Sequence, residues 1–252
     1  MKEQIHTIPV NDAFLSGDEC PFCFLERQVE QRAINYAVGP EASYMESEAR
    51  GLTHEEGFCR NHLKMLYDFG NSLGNALILQ TYFKILNKEL DDEIEGFDPP
   101  AKRGLLPRKK TSEEEQAELI RWAKKKQKTC YICGKMEYNM ERYYETFFAL
   151  SKEAEFRGRV ENCKGFCLQH FAELVEMAER KLPNSQRDWF YPTVFRLMKE
   201  NMARVKEDLD WFVGMFDYRQ AGADWKNSRD AVPRTMQKLR GGHPSDAPFK
   251  GK

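Results

Sequence analysis

Two copies of one cysteine and histidine pattern occur in this chain of 252 residues. Each copy has two cysteines separated by two residues and, after a longer gap, a cysteine and a histidine with the same separation. The eight residues are Cys20, Cys23, Cys59 and His62 in the first copy and Cys130, Cys133, Cys167 and His170 in the second. Three thiolates and one imidazole are a complete ligand set for one tetrahedral zinc ion. We therefore predict two zinc ions per chain, each bound within one copy.

The spacing within each copy suits a metal site. Residues three apart on a helix share a face, so Cys59 and His62 would project together. A thiolate near a helix N-terminus is also stabilised by the helix dipole. Two alternatives remain open. Three cysteines and a histidine can hold an iron–sulfur cluster, and the Cys20–Cys23 spacing also occurs in redox-active disulfides. Because four protein ligands leave no open position, we interpret the sites as structural.

A glutamate and an arginine precede the third ligand at matching positions of the two copies. They are Glu48 and Arg50 in the first copy and Glu155 and Arg157 in the second. We predict that the carboxylates orient the ligand histidines and that the arginines balance the negative charge of the thiolates. The alternative is a pocket for an anion or a substrate. Cys163 has no counterpart and is expected to be a small buried residue or a spare thiol.

Composition favours a soluble protein with many charged residues. Hydrophobic residues make up 41% of the chain and charged residues 31%, with a net charge of −1. No apolar run approaches the roughly 20 residues of a membrane helix, and the N-terminus has no signal-peptide pattern. We expect a cytoplasmic location, where reduced cysteines bind metal more often than they form disulfides. No nucleotide-binding loop, catalytic triad order or HExxH motif occurs, so enzymatic activity is not predicted.

Helical periodicity dominates the chain and predicts an all-α protein. The repeated blocks predict two duplicated helical units, each held together by zinc, with a long C-terminal helix packed across them. The expected segments are a first unit at 1–95, a basic Pro/Gly connector at 96–112, a second unit at 113–184, a helical segment at 185–240 and a disordered tail at 241–252. Residues 1–19 are expected to be irregular, and a helix is expected to end at Gly51.

The paired CxxC and GFCxxH blocks are followed by a long helix that ends in a short aromatic and charged block. That block consists of Phe216, Asp217, Tyr218 and Arg219. Together these features resemble an uncharacterised bacterial family known only as a domain of unknown function, over about residues 15–240. The resemblance implies a cytoplasmic bacterial protein, and it implies no catalytic role for any residue.

The functional interpretation is a zinc-binding, non-catalytic interaction or regulatory protein with an unknown protein partner and no membrane association. One alternative is an enzyme or metal-handling protein with a site between the two units. Another is a nucleic-acid binder that uses the basic connector and tail. From Lys226 to Lys252 the chain carries seven basic residues against two acidic ones, although the near-neutral whole chain gives no general attraction for nucleic acid.

Overall fold

The computed structural model describes residues 6–41, 43–97 and 118–244, which form α-helices and short 3-10 turns and contain no strand. The all-α prediction is therefore confirmed. None of the described helices is long and apolar enough to cross a membrane. The helices, in chain order, are α1 (Ile8–Leu15), α2 (Pro21–Val38), α3 (Ser47–Glu56), α4 (Arg60–Phe69), α5 (Ser72–Glu95), α6 (Glu118–Lys128), α7 (Tyr131–Leu150), α8 (Ala154–Glu161), α9 (Leu168–Lys181), α10 (Asn184–Gly214) and α11 (Ala231–Arg240).

The chain divides into two compact units whose boundaries fall inside α2 and α7. Among the described residues, the first unit contains 6–29 and 136–244, including α10. The second unit runs from Glu30 to Lys135. The first unit is discontinuous in sequence. The segments 1–95 and 113–184 remain a prediction. Most of the predicted connector and most of the predicted tail lie outside the described residues.

The core of the first unit is built from phenylalanines that surround the first cysteine pair. Phe22, which lies between Cys20 and Cys23, is fully buried and packs against the rings of Phe147 and Phe166 with centroids 5.7 and 5.9 Å away. Full burial of such a side chain contributes about 1.5–3 kcal/mol. Further buried rings in this core are Phe14, Phe156 and Phe190. The cysteine pair is thus held by a packed aromatic core.

The second unit has buried apolar residues of its own in α2 and α7. Ile132 is fully buried there, as are Ile34 and Val38 of α2. The N–H of Tyr131 donates to the carbonyl of Gly57 at 2.9 Å, which connects the start of α7 to the turn before Cys59. This bond brings the second cysteine pair of the sequence next to the first cysteine–histidine pair.

Two local predictions are wrong. Residues 1–19 include α1, whose Pro9 lies in the first turn, where a missing N–H costs no hydrogen bond. The helix expected to end at Gly51 continues to Glu56, because packing of α3 against α5 outweighs the weak helical propensity of one glycine. It ends instead at Gly57, whose φ of +63° favours glycine and where a Cβ would lie 2.7 Å from the ring of Tyr82.

Candidate metal centres

The first group of converging ligands, which we call the Cys20 cluster, consists of Cys20, Cys23, Cys167 and His170. The three sulfurs lie 3.5, 3.4 and 3.2 Å, in that order, from Nδ1 of His170. All four residues are buried, and none is more than 1% exposed. Every ligand atom lies within 4.8 Å of the others. The four donors therefore surround one point inside the first unit.

The second group, the Cys59 cluster, consists of Cys59, His62, Cys130 and Cys133. Nδ1 of His62 lies 3.2 Å from the sulfurs of Cys59 and Cys130 and 3.4 Å from that of Cys133. The sulfurs of Cys59 and Cys133 are 3.9 Å apart. His62 and Cys130 are buried, Cys59 is half-buried and Cys133 is exposed. This cluster has the same donors as the first one but is more accessible to solvent.

The predicted pairing of the ligands is wrong. The sequence predicts that Cys20 and Cys23 share an ion with Cys59 and His62, whereas they converge with the cysteine and histidine of the other copy. Each cluster takes its cysteine pair from one copy and its cysteine–histidine pair from the other. All eight predicted ligands are thus brought into two groups of four, with the partners exchanged between the copies.

The helices that separate the ligand pairs differ in length within each copy. At about 1.5 Å per residue, α2 is about 27 Å long, while α3 is about 15 Å long. His62 meets α2 at Glu30, seven residues beyond Cys23. The second copy shows the same kind of difference, since α7 is about 30 Å long and α8 is about 12 Å long.

Local backbone conformation repeats at the cysteine–histidine pairs of the two copies. Cys59 has φ −71° and ψ 165° before the first turn of α4, and Cys167 has φ −74° and ψ 164° before that of α9. Gly57 and Gly165, two residues earlier, both have positive φ, at 63° and 74°. In each copy the extended cysteine starts a helix, and the histidine three residues later points its Nδ1 to the same side.

A carboxylate of α2 lies next to the outer ring nitrogen of each ligand histidine. Nε2 of His62 is 3.1 Å from Glu30, and Nε2 of His170 is 3.7 Å from Glu26. A carboxylate at this nitrogen holds its proton and leaves Nδ1 free as a metal donor. The sequence reasoning missed both glutamates. The signal was their spacing of four residues on the helix that begins at the first cysteine pair.

Of the two glutamates predicted for this role, only Glu155 has a described side chain. Glu155 accepts a hydrogen bond from Arg159 at 2.7 Å on its own helix, and its side chain is largely exposed. The side chain of Glu48 lies outside the described part of the structure. Glu30, by comparison, lies within hydrogen-bond distance of its histidine, and Glu26 lies within ion-pair distance of the other one.

Arg50 and Arg157 bind main-chain carbonyl groups. Arg50 donates to the carbonyls of Tyr44 and Met45, both at 2.9 Å. Arg157 donates to the carbonyl of Ser151 at 2.7 Å, and its guanidinium lies 4.9 Å from the ring centre of Trp189. Tyr44 and Ser151 are each six residues before the arginine. The two arginines thus fix the turn before α3 and the turn before α8 in the same way.

The side chains of the Cys59 cluster change one another's pKa values. Burial lowers the pKa of His62, but hydrogen bonds with Cys130 and Glu30 outweigh it and raise the pKa to about 10. Burial raises the pKa of Cys130, but the bond with His62 outweighs it and lowers the pKa to about 6. Burial and the neighbouring thiolates raise the pKa of Cys133 to about 12. Without a metal ion the cluster therefore holds an imidazolium–thiolate pair at neutral pH.

The same pattern is stronger in the Cys20 cluster. Burial raises the pKa of Cys20, and hydrogen bonds from Cys20 and Cys23 hold the pKa of Cys167 well below its usual range. Burial lowers the pKa of His170, but bonds with Cys167 and Cys23 outweigh it and raise the pKa to about 11. Buried thiolate charge is unfavourable unless a cation compensates it. A divalent ion at the centre of the four donors would supply that compensation.

The end of α11 covers the Cys20 cluster, a feature that the sequence did not reveal. A Cβ on Gly241 would lie 3.7 Å from the sulfur of Cys23 and 3.8 Å from that of Cys167. Lys238, only 1% exposed, donates to the carbonyl of Glu19 at 2.5 Å and lies 3.3 Å from its carboxylate. This buried contact ties α11 to the residue just before Cys20.

Cys163 belongs to neither cluster. It is half-buried, and its sulfur accepts the N–H of Gly165 at 3.4 Å. Burial raises its pKa to about 11. The thiol is therefore a poor nucleophile at neutral pH.

The C-terminal aromatic block lies on the surface. Phe216 is 73% exposed and Tyr218 is 85% exposed. Asp217 accepts hydrogen bonds from the backbone and the guanidinium of Arg219 at 2.9–3.0 Å. The charged pair shapes the turn, and both aromatic rings remain available for contacts.

The family is shown by comparison with known proteins. A model described as "Family of unknown function (DUF6062)" matches residues 1–246. The chain belongs to this family. No curated protein and no solved structure matches it. The resemblance noted from the sequence is therefore confirmed at the level of the family, and the function is argued from the clusters themselves.

Proposed function

We propose that the protein binds two zinc ions at structural sites and acts as a non-catalytic interaction or regulatory protein in the cytoplasm. The observation that carries the proposal is the convergence of three sulfurs and one imidazole nitrogen in each cluster. Four protein donors complete the coordination of zinc and leave no position for a substrate or a reactive water. In a reducing compartment the thiolates remain available to the metal.

The spacing of the donors favours a single ion over an iron–sulfur cluster. Tetrahedral zinc with bonds of about 2.3 Å to sulfur and about 2.0 Å to nitrogen separates two sulfurs by about 3.8 Å and a sulfur from the nitrogen by about 3.5 Å. The observed distances are 3.9 Å between the sulfurs of Cys59 and Cys133 and 3.2–3.4 Å from His62 to its three cysteines. In an iron–sulfur cluster the cysteines bind different iron atoms, which requires wider spacing.

The exposed C-terminal block supports the interaction role. The ring of Phe216 packs on Phe212 and Trp225 with centroids 5.3 and 6.1 Å away, yet most of its surface is exposed to solvent. Tyr218 lies two residues further on and is still more exposed. Aromatic residues are enriched at the energetically important centres of protein interfaces. We propose that this block contacts the unknown protein partner.

The nucleic-acid alternative has less support. Of the basic residues after position 225, Arg234 is bound to Asp208 and Asp230, and Lys238 is buried against Glu19. Lys226 lies 3.5 Å from the ring centre of Trp211. The basic connector lies outside the described residues. These cations are occupied by contacts within the chain, whereas phosphate binding needs free basic groups.

The metal test is elemental analysis of the full chain purified without added metal. Two zinc equivalents per chain are expected, and a strong chelator should reduce the helical signal, because metal binding contributes to folding free energy. A brown protein with iron and visible charge-transfer absorption would contradict the zinc proposal. Loss of metal with unchanged helical signal and unchanged melting temperature would contradict the structural role.

The interaction test compares two surface variants. Phe216→Ser should abolish binding of a partner that copurifies with the wild-type protein, while zinc content stays at two equivalents. Phe83→Ser is the matched control, because Phe83 is 57% exposed and lies on α5. Equal partner binding by both variants would argue against the C-terminal block as the contact surface.

A further inference from the structure

The two clusters differ sharply in their exposure to solvent. In the Cys20 cluster the sulfurs of Cys20, Cys23 and Cys167 belong to residues at most 1% exposed. In the Cys59 cluster, Cys133 is exposed and Cys59 is half-buried. Reactivity of a cysteine towards small oxidants requires access to its thiolate. The ligands of the two clusters are the same in type, so accessibility is the main difference between them.

The surroundings of the clusters increase this difference. Gly241 and the buried Lys238–Glu19 contact cover the Cys20 cluster. Along the chain, the helix that precedes Cys130 and Cys133 is α6, which contains no buried residue. Trp122 and Lys126 of α6 both bind Glu89, at 2.9 and 2.6 Å. Elements with few buried contacts open at a low free-energy cost, so the chain leading to Cys130 and Cys133 can move when the metal leaves.

Cys59 and Cys133 are the two ligands whose positions favour a reaction with each other. The sulfurs of Cys59 and Cys133 are 3.9 Å apart, and they belong to the two most exposed ligands of the cluster. A disulfide needs a sulfur–sulfur distance of about 2.05 Å, so the two sulfurs must move together by about 2 Å. Cys130, in contrast, is buried just before α7.

We propose that the Cys59 cluster is an oxidation-sensitive metal site, in which a peroxide joins Cys59 and Cys133 as a disulfide and the bound ion is released. This rests on the proposed zinc-binding function. Cys133 is exposed and would be a thiolate while it ligates the ion. Its sulfur attacks one oxygen of hydrogen peroxide, the O–O bond breaks, and a sulfenic acid and hydroxide form. The Cys59 thiolate then attacks the sulfenic sulfur and displaces a second hydroxide. Two protons from solvent convert the hydroxides to water, and the two electrons lost by sulfur reduce the peroxide.

Release of the ion follows from the loss of donors. Oxidation removes two of the four ligands, and His62 with Cys130 alone cannot complete a tetrahedral site. The contact between α4 and the start of α7 is then no longer held by metal, while the Cys20 cluster keeps its own ion. One chain would thus carry a permanent site and a responsive one.

The experiment uses the full chain loaded with two zinc ions and treated with a few equivalents of hydrogen peroxide. A chromophoric zinc indicator should report the loss of one of the two equivalents, and a thiol reductant with added zinc should restore it. Peptide mapping should find a disulfide between Cys59 and Cys133. Release of neither ion, release of both together, or a disulfide in the Cys20 cluster would overturn the proposal.

Variants with a substituted ligand provide the controls. Cys133→His keeps four donors, so two zinc ions should remain bound and peroxide should release neither. Cys23→His makes the same exchange in the Cys20 cluster and should leave the peroxide response intact. Cys163→Ser, which alters no ligand, should behave as wild type. If peroxide releases an equivalent of zinc from the Cys133→His variant, the assignment is wrong. Protein that contains no zinc before treatment would instead contradict the proposed function.

Discussion

The sulfur of Cys23 lies 3.4 Å from Nδ1 of His170, a residue 147 positions later in the chain. This contact joins the first cysteine pair of the sequence to its last histidine. It excludes the simplest arrangement, in which each copy of the pattern closes around its own ion. Because the remaining ligands follow the same exchange, metal binding connects distant parts of the sequence in both clusters.

The exchanged pairing predicts which double substitutions remove one metal and which remove two. Cys23→Ser with Cys167→Ser alters only the Cys20 cluster, so one zinc equivalent should remain. Cys23→Ser with Cys59→Ser alters both clusters, and both equivalents should be lost. Elemental analysis of the two double variants distinguishes the arrangements, since pairing within each copy predicts the opposite result. Cobalt substitution provides a second readout through its thiolate absorption if zinc retention is affected by folding.

Replacement of the carboxylate at His62 should weaken metal binding without removing a ligand. Glu30→Gln keeps the shape of the side chain but loses the charge that fixes the imidazole proton on Nε2. We expect zinc affinity at the Cys59 cluster to fall by about 10–100-fold, as for other carboxylate–histidine contacts at metal sites. Competition with a chelator measures the change. Glu155→Gln is the matched control and should leave this affinity unchanged, whereas weaker zinc binding at the Cys20 cluster in that variant would restore the role first predicted for Glu155 beside His170.

Zinc affinity at the Cys59 cluster should rise with pH. The pKa of His62 is raised to about 10 and that of Cys133 to about 12, so both carry protons at neutral pH in the metal-free protein. Zinc must displace these protons, and each is more easily displaced as pH increases. Below about pH 6, protonation of Cys130 adds to the competition. Calorimetry in buffers of different ionisation enthalpy should detect the released protons, and an affinity independent of pH would contradict this assignment.

Loss of Arg157 should reduce stability but leave zinc content unchanged. Its guanidinium binds the carbonyl of the buried Ser151 at 2.7 Å, and a hydrogen bond to a charged donor contributes about 1.5–3 kcal/mol. Arg157→Ala should therefore lower the free energy of unfolding by a similar amount in denaturant titrations. Arg180→Ala, which removes an exposed ion pair with Glu176, should cost only about 0.3–0.5 kcal/mol. Zinc loss in Arg157→Ala would support the thiolate-balancing role predicted from the sequence.

The ligands and the helical class were predictable because both depend on local patterns. Residues three apart on a helix share a face wherever the helix lies, so the Cys59–His62 and Cys167–His170 pairs could be recognised without a structure. The pairing was not predictable from loop length alone, because rigid helices, not flexible chain, fill the gaps between the pairs. α2 and α3 differ by about 12 Å in length, and His62 meets α2 at Glu30 instead of at the first cysteine pair.

The missed residues share a different cause. Glu26, Glu30 and Gly241 acquire their positions only through tertiary packing. The two glutamates read as ordinary polar positions of an amphipathic helix, and Gly241 reads as the start of a tail. The α11 helix that brings Gly241 to the Cys20 cluster is anchored by the burial of Lys238, and a buried lysine is rare enough that sequence reasoning places it on the surface.

The exchanged ligands have a consequence for the number of chains needed to make each site. A shorter protein with one cysteine pair and one cysteine–histidine pair could reproduce either cluster only by meeting a second molecule, so its metal content would depend on its concentration. With both copies on one chain, the second encounter is intramolecular, and its effective concentration is set by the tether between the copies. The assembly of each ligand set then no longer depends on the concentration of the protein.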